Sequence, residues 1–359
     1  MIPSLNVNCS AKEVTDIHGL LSLILENKFL RIVVLADKGS DIVEFRHKPT
    51  NTEFLLQLPG GVRSHQAGAG AISEQSFTDT YSGGWNEILP NGGAPSYYKG
   101  ATFGQHGEVS VMPWKYTITE NHPGRISVKL WVRPHRTPFY LEKTLSLEED
   151  SAVLTIDEQL SNEAGEEMHC MWGQHIAFGN PFLLEGAKIF APTQKFIVHE
   201  SMENYEPRRF APGETFAWPN AKTPDGNIEN ASIVPAYGDA KAQEMAYMTE
   251  LTDGWYAILN PFHKVGFGLR FDHELFQYIW YWQQLGNVAK GYPWWGRLHT
   301  MALEPWTSYP TKGLAEAVEN GTALLLQPGE KIKTTIKAVA FDGFSSVHSI
   351  TPDGEIIGN

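Results

Sequence analysis

The amino-acid sequence predicts an all-β protein, a large antiparallel sandwich or barrel, and three observations predict it. Apolar residues recur with a period of two, turn signals separate those stretches, and no segment of 12 residues carries a convincing apolar period of 3.6. In Ile126–Val132 the residues Ile126, Val128, Leu130 and Val132 face one way. Next, Ala152, Leu154, Ile156 and Leu160 alternate with Val153, Thr155, Asp157 and Gln159. Near the end, Ile332, Thr334, Ile336 and Ala338 alternate with Lys333, Thr335, Lys337 and Val339. Such alternation marks antiparallel strands with one buried face. Turn-forming residues stand at Asp37–Ser40, Asn121–Gly124, Glu148–Ser151, Pro224–Gly226 and Gln327–Glu330. Helix is expected only at Gly313–Glu319 and Asp239–Glu244. The stretch from Ser201 to Ala236, rich in Pro, Asn and Glu, reads as a long loop excursion. With no βαβ alternation, heptad, repeat or linker, one domain is expected over residues 1–359.

Composition excludes several classes of function. Aromatic residues make up 12% of the chain, 11 of them Trp, and only 19% is charged, against about 25% on average. A chain of this length and apolarity buries a large core, which excludes disorder and coiled coil. A net charge of −13 argues against nucleic acid or an anionic membrane as partner. Met1–Ser4 brings no cationic region before an apolar one, and Leu20–Leu25 is far shorter than the ~20 residues of a membrane span. Cys9 and Cys170 form no disulfide framework. A reduced, cytoplasmic protein is therefore expected.

Phosphate-binding glycine motifs, a Gly-x-Ser-x-Gly elbow, Cys-x-x-Cys and His-Glu-x-x-His are all missing. No cofactor and no metal is expected. His169, Cys170 and His175 lie close in sequence, but on a strand His169 and Cys170 point to opposite faces.

Four segments place ionisable residues among glycines and aromatics. Gly83–Gly93 carries Asn86 and Glu87 between glycine pairs that allow close approach of backbone to a ligand; a tight surface loop is the plainer reading. Gly104–Val109 exposes His106 beside Gly107. In Met171–Pro181, Gly173, His175 and Ala177 share a face, so small residues clear space around an imidazole. His175 is thus a better candidate than His18, His47 or His122, which sit in polar or turn sequence. In Met301–Pro310, Pro305 holds Glu304 extended among apolar neighbours, and desolvation there raises a carboxyl towards the range of a useful base. Within Tyr278–Trp282, alternation puts Tyr278, Trp280 and Trp282 on one face and Ile279 and Tyr281 on the other. An aromatic platform with sparse polar groups suits the C–H face of a sugar, and a large aromatic core is the competing reading.

The order of these motifs resembles the aldose 1-epimerase (galactose mutarotase-like) superfamily. The resemblance runs from about Leu20 to Phe341 through Gly83–Gly93, His106-Gly107, His175, Phe271–Gln283, Leu303-Glu304-Pro305 and Pro328-Gly329-Glu330. Asp37–Ile42 is similar to a signature of a less characterised branch. The resemblance implies a large antiparallel β-supersandwich that interconverts the α and β anomers of a sugar by acid/base ring opening and reclosure. By that analogy Glu304 is the general base, His175 the general acid, and His106 binds and polarises the sugar. Asn86 or Glu87 stands where the family commonly has a substrate-binding Arg. Glu244 and Asp272 are candidates for its hydroxyl-binding Asp, with Trp280, Trp282, Gln283 and Trp306 as further substrate contacts. The implied partner is a small-molecule sugar, with the chain a monomer or homodimer. A phosphorylated-sugar epimerase would need a basic pocket drawn from Arg63, Arg133, Arg136 or Arg297. A non-catalytic carbohydrate-binding protein would need only the aromatic platform.

Overall fold

The computed structural model describes residues 9–15, 19–63, 75–200, 202, 205–236 and 241–359. Met1–Ser4, His18 and the first two residues of the Asp239–Glu244 stretch lie outside them. Alternating and fully buried strands assemble into two large antiparallel sheets. The larger has 12 strands, in the order Ser10–Thr15, Leu21–Glu26, Leu30–Leu35, Asp41–His47, Trp85–Ile88, Gly173–Phe178, Thr300–Trp306, Tyr278–Leu285, Ala242–Leu251, Thr193–Val198 and Thr215–Ala217, with Thr52–Glu53 paired to Asp41–His47. The smaller has eight, running Lys188–Phe190, Trp255–Asn260, Val265–Arg270, Lys331–Asp342, Val153–Asn162, Phe139–Glu148, Arg125–Val132 and Lys115–His122.

Core side chains from both sheets meet between them. Phe267 of the smaller sheet packs edge-on against Phe45 and Phe178 of the larger, with ring centroids 5.3 and 5.1 Å apart. The smaller sheet shows the alternation read from sequence: along Val153–Asn162, Leu154, Ile156 and Leu160 are buried and Asp157 is exposed. The central strands of the larger sheet do not alternate, because both of their faces are covered. Gly173–Phe178, Thr300–Trp306 and Trp85–Ile88 are buried at every residue. One face meets the core between the sheets and the other lies under loops, so polar residues such as Asn86, Glu87, Gln174, His175 and Glu304 are buried on these strands along with the apolar ones.

Two expectations need correction. Ala242–Leu251, overlapping the proposed helix Asp239–Glu244, is a strand paired on both sides, with Tyr281 opposite Ala246 and Phe196 opposite Met248; pairing in the sheet overrides local helix preference. The Ser201–Ala236 excursion holds three short strands, Thr215–Ala217, Asn220–Lys222 and Ile228–Asn230. The buried Arg208–Glu244 ion pair ties it down, and Phe210, also buried, packs edge-on against Phe196. The expected helix at Gly313–Glu319 is present as Leu314–Glu319. A further short helix, Ser76–Thr80, has no period long enough to read from sequence. No helix of the described residues is long and apolar enough to cross a membrane.

Candidate active site

A row of side chains crosses the outer face of the larger sheet, each opposite the next in register. Asn86 faces His175, Glu304 faces Trp280 and Trp280 faces Tyr247. The offset that pairs Gly173 with Trp306 and Ala177 with Ala302 brings His175 to Glu304, where His175 Nε2 lies 3.7 Å from Glu304 Oε1. Period-two geometry on five adjacent strands therefore assembles residues more than 200 positions apart.

His175, Glu304 and Trp280 of this row line a cavity of about 170 Å³, comparable with the ~150 Å³ space that takes up a six-membered aromatic ring. His106, His175, Glu304, Trp280 and Trp282 line it, together with Phe77, Tyr81, Tyr205, Gln284 and Trp294. Sequence reasoning missed these last five. Gln284 was legible, since the alternation that joins Trp280 to Trp282 continues to it. Phe77 and Tyr81 come from an unforeseen helical turn and its exit.

Burial sets the proton positions. Glu304 is 2% exposed, and desolvation lifts its carboxyl to about 8, against the opposing hydrogen bond from Trp306. Trp306 Nε1 donates to Glu304 Oε2 at 2.9 Å. Desolvation lowers His175 to about 4 and holds His106 well below the usual imidazole value, with His175 adding a smaller push. At neutral pH the facing pair thus keeps one proton, on the carboxyl. The Gly93 N–H donates to His106 Nδ1 at 3.2 Å, and the backbone N–H of His106 donates back to the Gly93 carbonyl. Neutral His106 therefore carries its proton on Nε2 and is a hydrogen-bond donor.

Trp280 and Trp306 stack at 4.1 Å and 17°, and His106 extends the stack over Trp306 at 6.1 Å and 29°. Trp306 is fully buried and supports Glu304 and Trp280 from behind. Trp282 is partly exposed, beside His175 and Trp294. Gly173 makes room for Trp306 rather than for the imidazole: a Cβ there would stand 2.2 Å from the indole. The glycines of Gly83–Gly93 likewise admit protein neighbours. A Cβ on Gly83 would meet the Leu56 carbonyl at 2.1 Å and one on Gly92 the Trp306 ring at 2.4 Å.

Four expected substrate contacts lie elsewhere. Glu87 points into the space between the sheets, paired with Lys143 at 3.2 Å and accepting from Trp172 Nε1 and Gln174 Nε2. It alternates with Asn86, so only one of the two faces the cleft side. Gln283 alternates with Gln284 in the same way and accepts from Arg209 on the inner face. Glu244, opposite Gln283, pairs with Arg208 and accepts from the N–H groups of Arg209 and Phe210. Asp272 is exposed and caps the turn at Glu274 and Leu275. Asn86 stands beside His175 but does not line the cavity. Trp85, Trp114 and Trp172 belong to the core.

Every Lys and Arg of the chain is described, and none lines the cavity. Arg133 pairs with Glu163, Arg136 borders a separate cavity with Glu108, and Arg63 and Arg297 are exposed.

Solved structures share this fold at low sequence identity. A candidate aldose 1-epimerase from Klebsiella pneumoniae aligns with a TM-score of 0.70 at 15% identity, over 92% of this chain and 83% of that one. A galactose mutarotase-like protein from Clostridium acetobutylicum aligns at 0.65 and 14%, over 94% and 99%. The Slr1438 protein from Synechocystis aligns at 0.62 and 14%, over 90% and 96%. A search of curated proteins finds no match. The sequence profile described as a domain of unknown function, DUF4432, matches residues 18–339, and the chain belongs to that family.

Proposed function

We propose that this chain is an isomerase of the aldose 1-epimerase type, acting on an uncharged reducing sugar. The observation that carries the reading is the facing of Glu304 and His175, two buried groups 3.7 Å apart that hold one proton between them. Anomer exchange needs one group to take the proton of the C1 hydroxyl while another delivers one to the ring oxygen. In this reading the pair's one proton moves from the Glu304 carboxyl to His175, so that ionised Glu304 takes the hydroxyl proton while the His175 imidazolium protonates the ring oxygen. The C1–O5 bond opens, the aldehyde turns about C1–C2, and closure reverses the two roles. His106 donates from Nε2 to a sugar oxygen.

Uncharged substrates fit a cavity without Lys or Arg and with a carboxylate in its floor, where an anion meets no compensating charge. Gln284 supplies a hydroxyl acceptor. Its Nε2 donates to Tyr205 at 2.9 Å, while its buried Oε1 has no partner. Trp282 and Trp294 offer faces for the C–H side of the ring.

The test is NMR exchange spectroscopy of aldose anomers with the parent and Glu304→Gln. Loss of catalysed exchange by about 10²-fold or more in the variant supports the reading. Full activity in the variant removes Glu304 from the chemistry. Sugar binding without exchange in the parent makes the chain a carbohydrate-binding protein instead.

A further inference from the structure

Buried polar atoms without hydrogen-bond partners occur at His175 and in the segments around it. They are His175 Nδ1, both amide atoms of Asn86, Asp41 Oδ1, Ser40 Oγ and the Tyr81 hydroxyl. Leaving a buried polar group unpaired costs about 1–3 kcal/mol, so a cluster of them calls for an explanation. Register brings the first three residues together. Asn86 stands directly opposite His175, and the pairing of Ile42 with Trp85 puts Asp41 beside Asn86 on the next strand. Opposed side chains have Cβ atoms about 4.5–5.5 Å apart, so Asn86 is an immediate neighbour of both His175 and Asp41. Asp41 is held by a buried ion pair with Lys38, both 1% exposed or less. Neither member lines the cavity. The titratable groups around His175 are Glu304 on one side, His106 and Tyr81 above it at ring distances of 5.1 and 5.5 Å, and the Lys38–Asp41 pair beyond Asn86.

We propose that Asn86 is a positioning residue for His175, acting through one water held between its amide, His175 Nδ1 and Asp41 of the Lys38–Asp41 pair. A buried water needs two to four polar partners, and these groups supply them. An amide both donates and accepts. It therefore serves His175 whether Nδ1 carries a proton or not, and the ring keeps its orientation through both protonation states. A carboxylate in this place would instead favour the imidazolium. Such ambivalence suits a group that is acid in one half of a reaction and base in the other, and to that extent the inference rests on the proposed function.

The test reads His175 in the ligand-free protein by ¹⁵N NMR of the imidazole across pH, with its signals assigned from a His175→Gln variant. Asn86→Leu is expected to change the His175 tautomer pattern, and Asn86→Asp to raise its titration midpoint by about one pH unit or more. Catalysed exchange in Asn86→Leu is expected to fall about 10- to 100-fold, the size typical of outer hydrogen-bond partners. Unchanged His175 signals and titration in a folded Asn86→Asp protein would overturn the proposal. So would unchanged signals in Asn86→Leu, and the Asp variant decides alone if the Leu variant does not fold. The NMR readout needs no substrate, so absence of mutarotase activity sinks the proposed function without deciding the role of Asn86.

Discussion

Burying Glu304 among Trp280, Trp306 and His175 costs folding free energy whenever its carboxyl ionises. Its folded value of about 8 lies above the ordinary 4.5, so the folded state binds this proton more tightly than the unfolded chain. The stability this group contributes is full below about pH 4.5 and is lost as pH rises through about 8. At 1.36 kcal/mol per pKa unit the loss reaches a few kcal/mol. Glu304→Gln is therefore expected to melt higher than the parent at pH 9 and close to it at pH 5, as read by thermal unfolding at both values. His175 works with the opposite sign: lowered to about 4, it stays neutral in the fold, and its contribution is lost as pH falls from about 6.5 towards 4. The same values shape catalysis. The pair must carry one proton for the reaction, so kcat/KM is expected to fall as pH rises through about 8 and again as pH falls towards 4. A profile that instead rises through pH 8 shows that the shared proton is not required. At this scale the sequence was informative: Glu304, His175 and His106 stood out by their apolar, small or glycine neighbours, and the structure brings all three together.

Strands decide which of two adjacent polar residues meets the cleft. Asn86 and Glu87, and likewise Gln283 and Gln284, differ by one position and face opposite sides of a sheet covered on both faces. The covered sheet removed the contrast between apolar and polar faces by which the cleft side could have been recognised, although Gln284 shares the parity of Trp280. Gly173 shows the same strand geometry as a packing constraint. Gly173→Ala drives a methyl into the rigid Trp306 indole, with an expected loss of about 1–3 kcal/mol. Catalysed exchange falls with it, because Trp306 holds Glu304 Oε2. Urea unfolding together with an exchange assay checks both effects. Asp272→Ala, which alters only an exposed turn, is expected to leave exchange within about twofold, and a large loss there would return Asp272 to the site.

Across the whole molecule, a polar knot joins the two sheets under the site. Glu87 on the larger sheet pairs with Lys143 on the smaller, and Gln174 links Glu87 to Glu158. Burial, then the nearby Glu87 charge, raises Glu158 well above the carboxylate range. Lys143→Met leaves the Glu87 charge without its partner, with an expected loss of about 3–5 kcal/mol by urea unfolding. By itself the sequence determined the all-β class, the antiparallel pairing and three of the cleft's ionisable residues. Period-two alternation and local desolvation are properties of short segments, and a single chain displays them without its partners. Only the tertiary structure decided which strands are neighbours, and hence that His175 meets Glu304 and Asn86. It also turned Glu87, Gln283 and Glu244 inward and made Trp306 a support rather than a platform. Those outcomes depend on register between strands far apart in sequence and on which face of each strand the second sheet covers, neither of which any local stretch encodes.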